Sequence, residues 1–245
     1  MRSALLTCLF CGSLVAQEGT LPKPFAEARR EYEAAAGGKD HERLVRTLAE
    51  LARSGLLSDK KPEKRFVQGA LKRSLKHADP RVRIAAARGY AKLRLPGTSS
   101  DLRPILRLAA QGRQPHAVGL AVVEAWGELT DPGSHKDLLA LLRKPVDDKE
   151  RRALAVAAAC TLSCYRALDR PARAKVVGDL MQVFDWLYAV AHRRAKEGSA
   201  DTKWWNDLEK PLVGAFNTLT GQNAADHYEC HEWWQANRRE FKSAK

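Results

Sequence analysis

The sequence predicts an all-α fold, an α-solenoid of stacked helical hairpins capped by helices at both ends. Three observations predict it: an apolar template recurs along the chain, each copy follows a second helix-periodic segment, and no alternating β-branched run interrupts them. The template is clearest in Asp79 to Leu93, DPRVRIAAARGYAKL, where Val82, Ala85, Ala86, Gly89 and Leu93 fall at helical spacing. Asp79 can cap the first turn and Pro80 loses nothing at the first helical position, so a helix starts here. Its apolar face is small, which lets a second helix approach closely. A shift of thirty-six residues gives Val118, Ala121, Val122, Ala125 and Leu129. A further thirty-three gives Arg151, Leu154, Ala155, Ala158 and Leu162, where the first position fails. The preceding segments carry Phe66, Ala70, Leu71 and Leu75; Leu102, Ile105, Leu106 and Ala109; and Leu138, Leu139 and Leu142. Hairpins at a period in the thirties stack because none buries its stripe alone.

The remaining elements follow in chain order. MRSALLTCLFCGSLVAQ has one basic residue, an apolar core and small residues at its end, so residues 1–16 read as a signal peptide with cleavage near Ala16. Thr7 and Phe10 precede Cys8 and Cys11, which does not make a lipoprotein box. Residues 17–60 read as an N-terminal hairpin cap. A helix from Pro24 carries Phe25, Arg29 and Tyr32 and stops at Gly37-Gly38; a second runs from Asp40 and ends at Gly55, with Leu44, Leu48 and Leu51 inside. Ser58 to Pro62 is an exposed linker. Residues 61–165 hold the repeats, with Asp147-Asp148 as capping acids.

Residues 166–245 form a Trp-rich cap. Asp169-Arg170-Pro171 starts a helix with Val177, Leu180, Met181, Phe184, Leu187, Tyr188 and Ala191 on one stripe, ending in basic residues before Gly198. Trp204, Trp205, Leu208, Leu212, Val213, Phe216 and Leu219 make another stripe, closed by the turn Thr220-Gly221-Gln222-Asn223. The last helix, around Ala225 to Phe241, carries Tyr228, Trp233 and Trp234. The tryptophans share stripes with aliphatic residues, so they are expected to fill a capping core.

The DPRVRIAAARGYAKL segment resembles the second helix of HEAT repeats, in particular the short repeats of phycobilisome lyases, and the likeness covers about residues 62–165. It implies HEAT-like or armadillo-type hairpins and a role in binding other proteins. The ending, LTGQ followed by the Trp233-Trp234 pair, resembles the C-terminal cap of exported bacterial HEAT-like proteins of planctomycete type.

Charge is the sharpest functional hint. Of the net +13, an excess of twelve lies between Lys60 and Arg113, where fifteen Lys and Arg face three acids. Such a field attracts nucleic acid, anionic polysaccharide or acidic protein. Arg81, Arg83, Arg88, Lys92, Lys72, Arg73 and Lys76 are the candidate binding surface. Against it stands a solvated helix face, since only Phe66 and Tyr90 supply aromatic rings for base stacking there.

Cys160 and Cys164 lie four apart on one helix face, and either is placed to bridge to Cys230 after export; simple burial is the other reading. Together with His227 or His231 the same thiols would suit zinc, yet HxxCH is no known finger spacing, and no metal or cofactor is expected. There is no Gly-rich phosphate loop, GxSxG, HExxH or CxxCH. The expectation is therefore an exported, non-catalytic scaffold whose partner is another protein, with an anionic polymer as the alternative and no membrane span in the mature chain.

Overall fold

In the computed structural model, residues 23–94, 97–131, 133–193 and 198–243 are described. The expected leader with Cys8 and Cys11 lies outside them. Helix α1 (Phe25–Ala36) stops at Gly37, and α2 (His41–Leu57) starts where Asp40 accepts from the Arg43 amide. Helices α3 (Lys61–Ser74) and α4 (Pro80–Leu93) follow, and the Asp79 carboxylate caps α4 at the Arg81 amide. Next come α5 (Ser99–Ala110), α6 (His116–Leu129), α7 (His135–Leu142) and α8 (Lys149–Thr161), with Asp148 capping α8 at Arg151. A 3-10 turn over Leu162–Ala167 leads to α9 (Arg170–Arg193), α10 (Ala200–Thr220) and α11 (His227–Ser243). Among the described residues there is no strand.

The even-numbered helices α2, α4, α6, α8 and α10 pack successively on one another, while the odd-numbered ones lie chiefly on their own hairpin partners. The closely spaced layer is the inner one and the odd helices fan out on the outside, which is an α-solenoid. The α9–α10 hairpin continues this alternation, and α11 folds back over α9. Close approach depends on missing side chains. A Cβ on Gly89 would sit 2.5 Å from Leu71 Cδ2, and one on Gly119 would sit 2.9 Å from the Ala109 Cβ.

Two sequence-based expectations change. Gly55 does not end α2; it lies inside the helix and faces buried Val67, whose Cγ2 would be 2.6 Å from an added Cβ. Its small size serves packing, and the linker shortens because α3 already starts at Lys61. The third copy of the template fits the burial at a shift of thirty-six, not thirty-three. Val82, Val118 and Leu154 are all buried, as are Ala86, Val122 and Ala158; Ala87, Val123 and Ala159; and Tyr90, Trp126 and Leu162. Helix α8 starts three residues early relative to that register, so aligning helix starts misplaces its core.

The loops repeat too. Arg94 and Thr130 both end their helices in the left-handed region, at φ 45° and 44°, and Gly97 and Gly133 follow at φ 77° and 85°. Outer helices are joined by two ion pairs and a histidine–carboxylate hydrogen bond that step along the stack. Lys72 on α3 meets Asp101 on α5 at 2.6 Å, Arg103 on α5 meets Asp137 on α7 at 2.8 Å, and His135 on α7 meets Asp179 on α9 at 2.8 Å.

Candidate functional site

The uniform register places equivalent residues side by side on the inner face. Ile84, Leu120 and Val156 are half-buried, one per helix of α4, α6 and α8, and Val45 on α2 is also half-buried. A shallow depression between α2 and α4 is lined by Glu42, Val45, Arg46 and Arg81. The exposed side of α4 carries Arg81, Arg88 and, half-buried, Lys92. Thirty-six residues on, the positions of Arg88 and Lys92 are taken by Glu124 and Glu128, both exposed on α6. The inner face is therefore an aliphatic stripe flanked by basic groups on α4 and acidic groups on α6.

The seven basic candidates do not form one patch. Lys72 and Arg73 are on outer helix α3 and Lys76 is in the turn that follows it, whereas Arg81, Arg83, Arg88 and Lys92 are on inner helix α4. Several are already engaged. Arg81 grips Asp79 at 2.8 Å and reaches Glu42 at 3.6 Å, and Lys72 belongs to the outer ion-pair series. Arg83 donates to the carbonyls of His77 and Ala78 at 2.6 and 2.9 Å, which fixes the α3–α4 turn. The Arg81 guanidinium and backbone amide hold the Asp79 carboxyl well below the usual carboxylate range.

The cysteines are not brought together as expected. Cys230 is a free thiol on α11, completely buried, and burial aided by Asp226 and Glu229 pushes it up to about 12. Cys164 lies in the 3-10 turn and faces α6, its Sγ 3.3 Å from where Gly127 would carry a Cβ. The bridge from the third repeat to the last helix is therefore absent, because α11 packs on α9 and not on α8.

Of the five C-terminal tryptophans, Trp204, Trp205 and Trp234 are buried and Trp233 is half-buried, as the shared stripes predict; Trp186 is exposed. Trp204 donates its indole N–H to the Leu142 carbonyl at 2.9 Å and ties α10 to the end of α7. Asp147, beside the cap, pairs with Arg152 and with Lys203 of α10, both at 3.0 Å.

A cluster that sequence reading did not assemble lies where α11 crosses α9. Asp185 Oδ1 is 2.8 Å from His227 Nε2 and 2.9 Å from His231 Nδ1. The two histidines are one helical turn apart on α11, so they share a face. His227 is buried, its ring stacked on Tyr188 at 4.5 Å and met edge-on by Phe184 at 4.7 Å. Asp185 and His231 remain open to solvent, each with a side chain 39% exposed. Burial raises the Asp185 pKa, but the hydrogen bonds from His227 and then His231 outweigh it, so the carboxyl lies below its ordinary value. Among the described residues these three form a group whose ligand atoms all lie within 4.8 Å of one another. The histidines were visible as metal-type residues; Asp185, forty-two residues before the first of them, carried no sequence signal.

Stacked hairpins with equivalent buried positions and a continuous inner face define a helical-repeat protein. The protein-family model described as HEAT repeats matches residues 67–159, from within α3 to within α8, so this central part of the chain is similar to HEAT repeats. No curated protein and no solved structure matches the chain. No helix among the described residues is long and apolar enough to cross a membrane.

Proposed function

We propose that this protein is an exported, non-catalytic HEAT-like scaffold that binds another protein on its inner face. One observation carries the reading: Arg88 and Lys92 on α4 give way to Glu124 and Glu128 at the equivalent positions of α6, beside the half-buried stripe Ile84, Leu120 and Val156. A polyanion presents the same charge at every step and would meet repulsion at α6. A protein surface can match both signs and bury the aliphatic stripe. Export rests on the leader-like composition of residues 1–16. A non-catalytic role rests on the lack of catalytic motifs in the sequence.

The test compares two surfaces of the mature protein. A photo-crosslinking side chain at Leu120 is expected to give a discrete adduct with one protein of the exported fraction, and Glu124→Lys with Glu128→Lys is expected to abolish it. The same group at outer-face Arg107 is expected to give none. Binding of heparin and duplex DNA is then followed across a salt series. Tight binding that falls steeply with salt and is lost in Arg73→Glu, Lys76→Glu and Arg88→Glu would establish the polyanion alternative instead. Arg81 and Arg83 are left intact because they hold the α4 start and the preceding turn.

A further inference from the structure

We propose that Asp185, His227 and His231 form a three-ligand site for a divalent zinc-class ion, which clamps the last helix to the solenoid. This goes beyond the scaffold reading and does not depend on it. Two imidazole nitrogens and one carboxylate oxygen are a donor set for zinc or a neighbouring transition ion, and a poor one for calcium or magnesium, which take oxygen ligands. The carboxylate oxygen is close to ligand spacing from both nitrogens. Bond lengths of about 2.0–2.1 Å place tetrahedral ligands about 3.3 Å apart. Here the carboxylate oxygen stands 2.8 and 2.9 Å from the two nitrogens, and all three atoms lie within 4.8 Å. To admit the ion the carboxylate withdraws by about half an ångström, and the two nitrogens, which lie within 4.8 Å of each other, close toward about 3.3 Å, a movement open to half-exposed His231.

The site is also partly built in advance. His227 is held between Tyr188 and Phe184, which fixes its ring with Nε2 directed at Asp185. Asp185 and His231 open to solvent, so an ion can enter and a water can fill the fourth position. Each neutral imidazole moves its proton to the nitrogen facing away from Asp185, and the ion takes the lone pair released. The start of a helix repels cations. Asp226 just before α11 and Glu229 and Glu232 in its first turns oppose that field, and the basic excess of the chain lies between Lys60 and Arg113.

The test uses untagged full-length protein stripped with a chelator and titrated with zinc against a chromophoric competitor. One equivalent is expected to bind, and the melting temperature is expected to rise with zinc. His231→Ala and Asp185→Asn should each weaken binding at least about tenfold, the loss that even changes around the ligands produce. Both should also lose the thermal shift, while His116→Ala behaves as wild type. If His231→Ala fails to fold, His231→Gln keeps a hydrogen-bond donor toward Asp185 but no imidazole ligand, and the same loss is expected. Absence of stoichiometric binding overturns the proposal. Binding retained in the His231 and Asp185 variants overturns it equally, since the ion would then sit on other side chains.

Discussion

Asp101 shows how one side chain joins two repeats. Its carboxylate takes Lys72 at 2.6 Å and Tyr90 at 3.0 Å from the preceding hairpin, and Gln68 at 3.2 Å. Burial works against its charge, and these three bonds more than offset that, so its pKa lies below the ordinary value. A lowered carboxyl pKa contributes stability that is fully present above about 3.9, the unfolded value, and is lost as pH falls through the folded one. Asp101→Asn is therefore expected to lower unfolding free energy by about 2 kcal/mol at pH 7, in the range for hydrogen bonds to a charged group. The gap from wild type should close below about pH 4 in denaturant titrations. A gap unchanged at acid pH would mean that shape, not charge, is what Asp101 supplies.

At the scale of the helix, Gly55 separates packing from propensity. Alanine in a helix interior is favoured over glycine by up to about 1 kcal/mol, but a Cβ here meets stiff, buried Val67 at 2.6 Å. Overpacking of this kind costs about 1–3 kcal/mol, so Gly55→Ala should destabilise by about 1 kcal/mol in chemical denaturation. In a Val67→Ala background the same change should become neutral or stabilising, because the space is then open. This contact also marks what could be read in advance. The helices, their capping Asp79 and Asp148 and the small-residue inner faces are local features, and local spacing reveals them. Gly55 looked like a stop because a glycine near the end of an apolar run reads the same whether it ends a helix or admits a neighbour. The apolar template puts the third repeat three residues off because Leu154, Ala155, Ala158 and Leu162 satisfy it at that shift too, and which register is buried depends on the neighbouring helices. Asp185 was invisible for the same reason as Val67: its partners come from a different helix, and nothing in either segment alone requires the other.

Across the whole molecule, each hairpin touches only its neighbours, so opening begins at the ends and does not require the middle to melt. Helix α11 is the outermost layer at one end, and Cys230 beneath it is fully buried with its pKa pushed up to about 12. A thiolate is the species that reacts, so this sulfur stays inert while the helix is down. Alkylation at Cys230, followed at the peptide level, should be at least about a hundredfold slower than for a model thiol in native buffer. Zinc should slow it further. Labelling at the rate of an exposed thiol would show that α11 does not stay docked.

Cys230 thus turns a buried position into a clock for its own cover. In the presence of an alkylating reagent each molecule takes a permanent mark once its last helix lifts, and the fraction marked after a given time counts those departures without any label-bearing mutation. A partner that grips the far end of the array can be asked, through this one sulfur, whether its arrival is felt at the other.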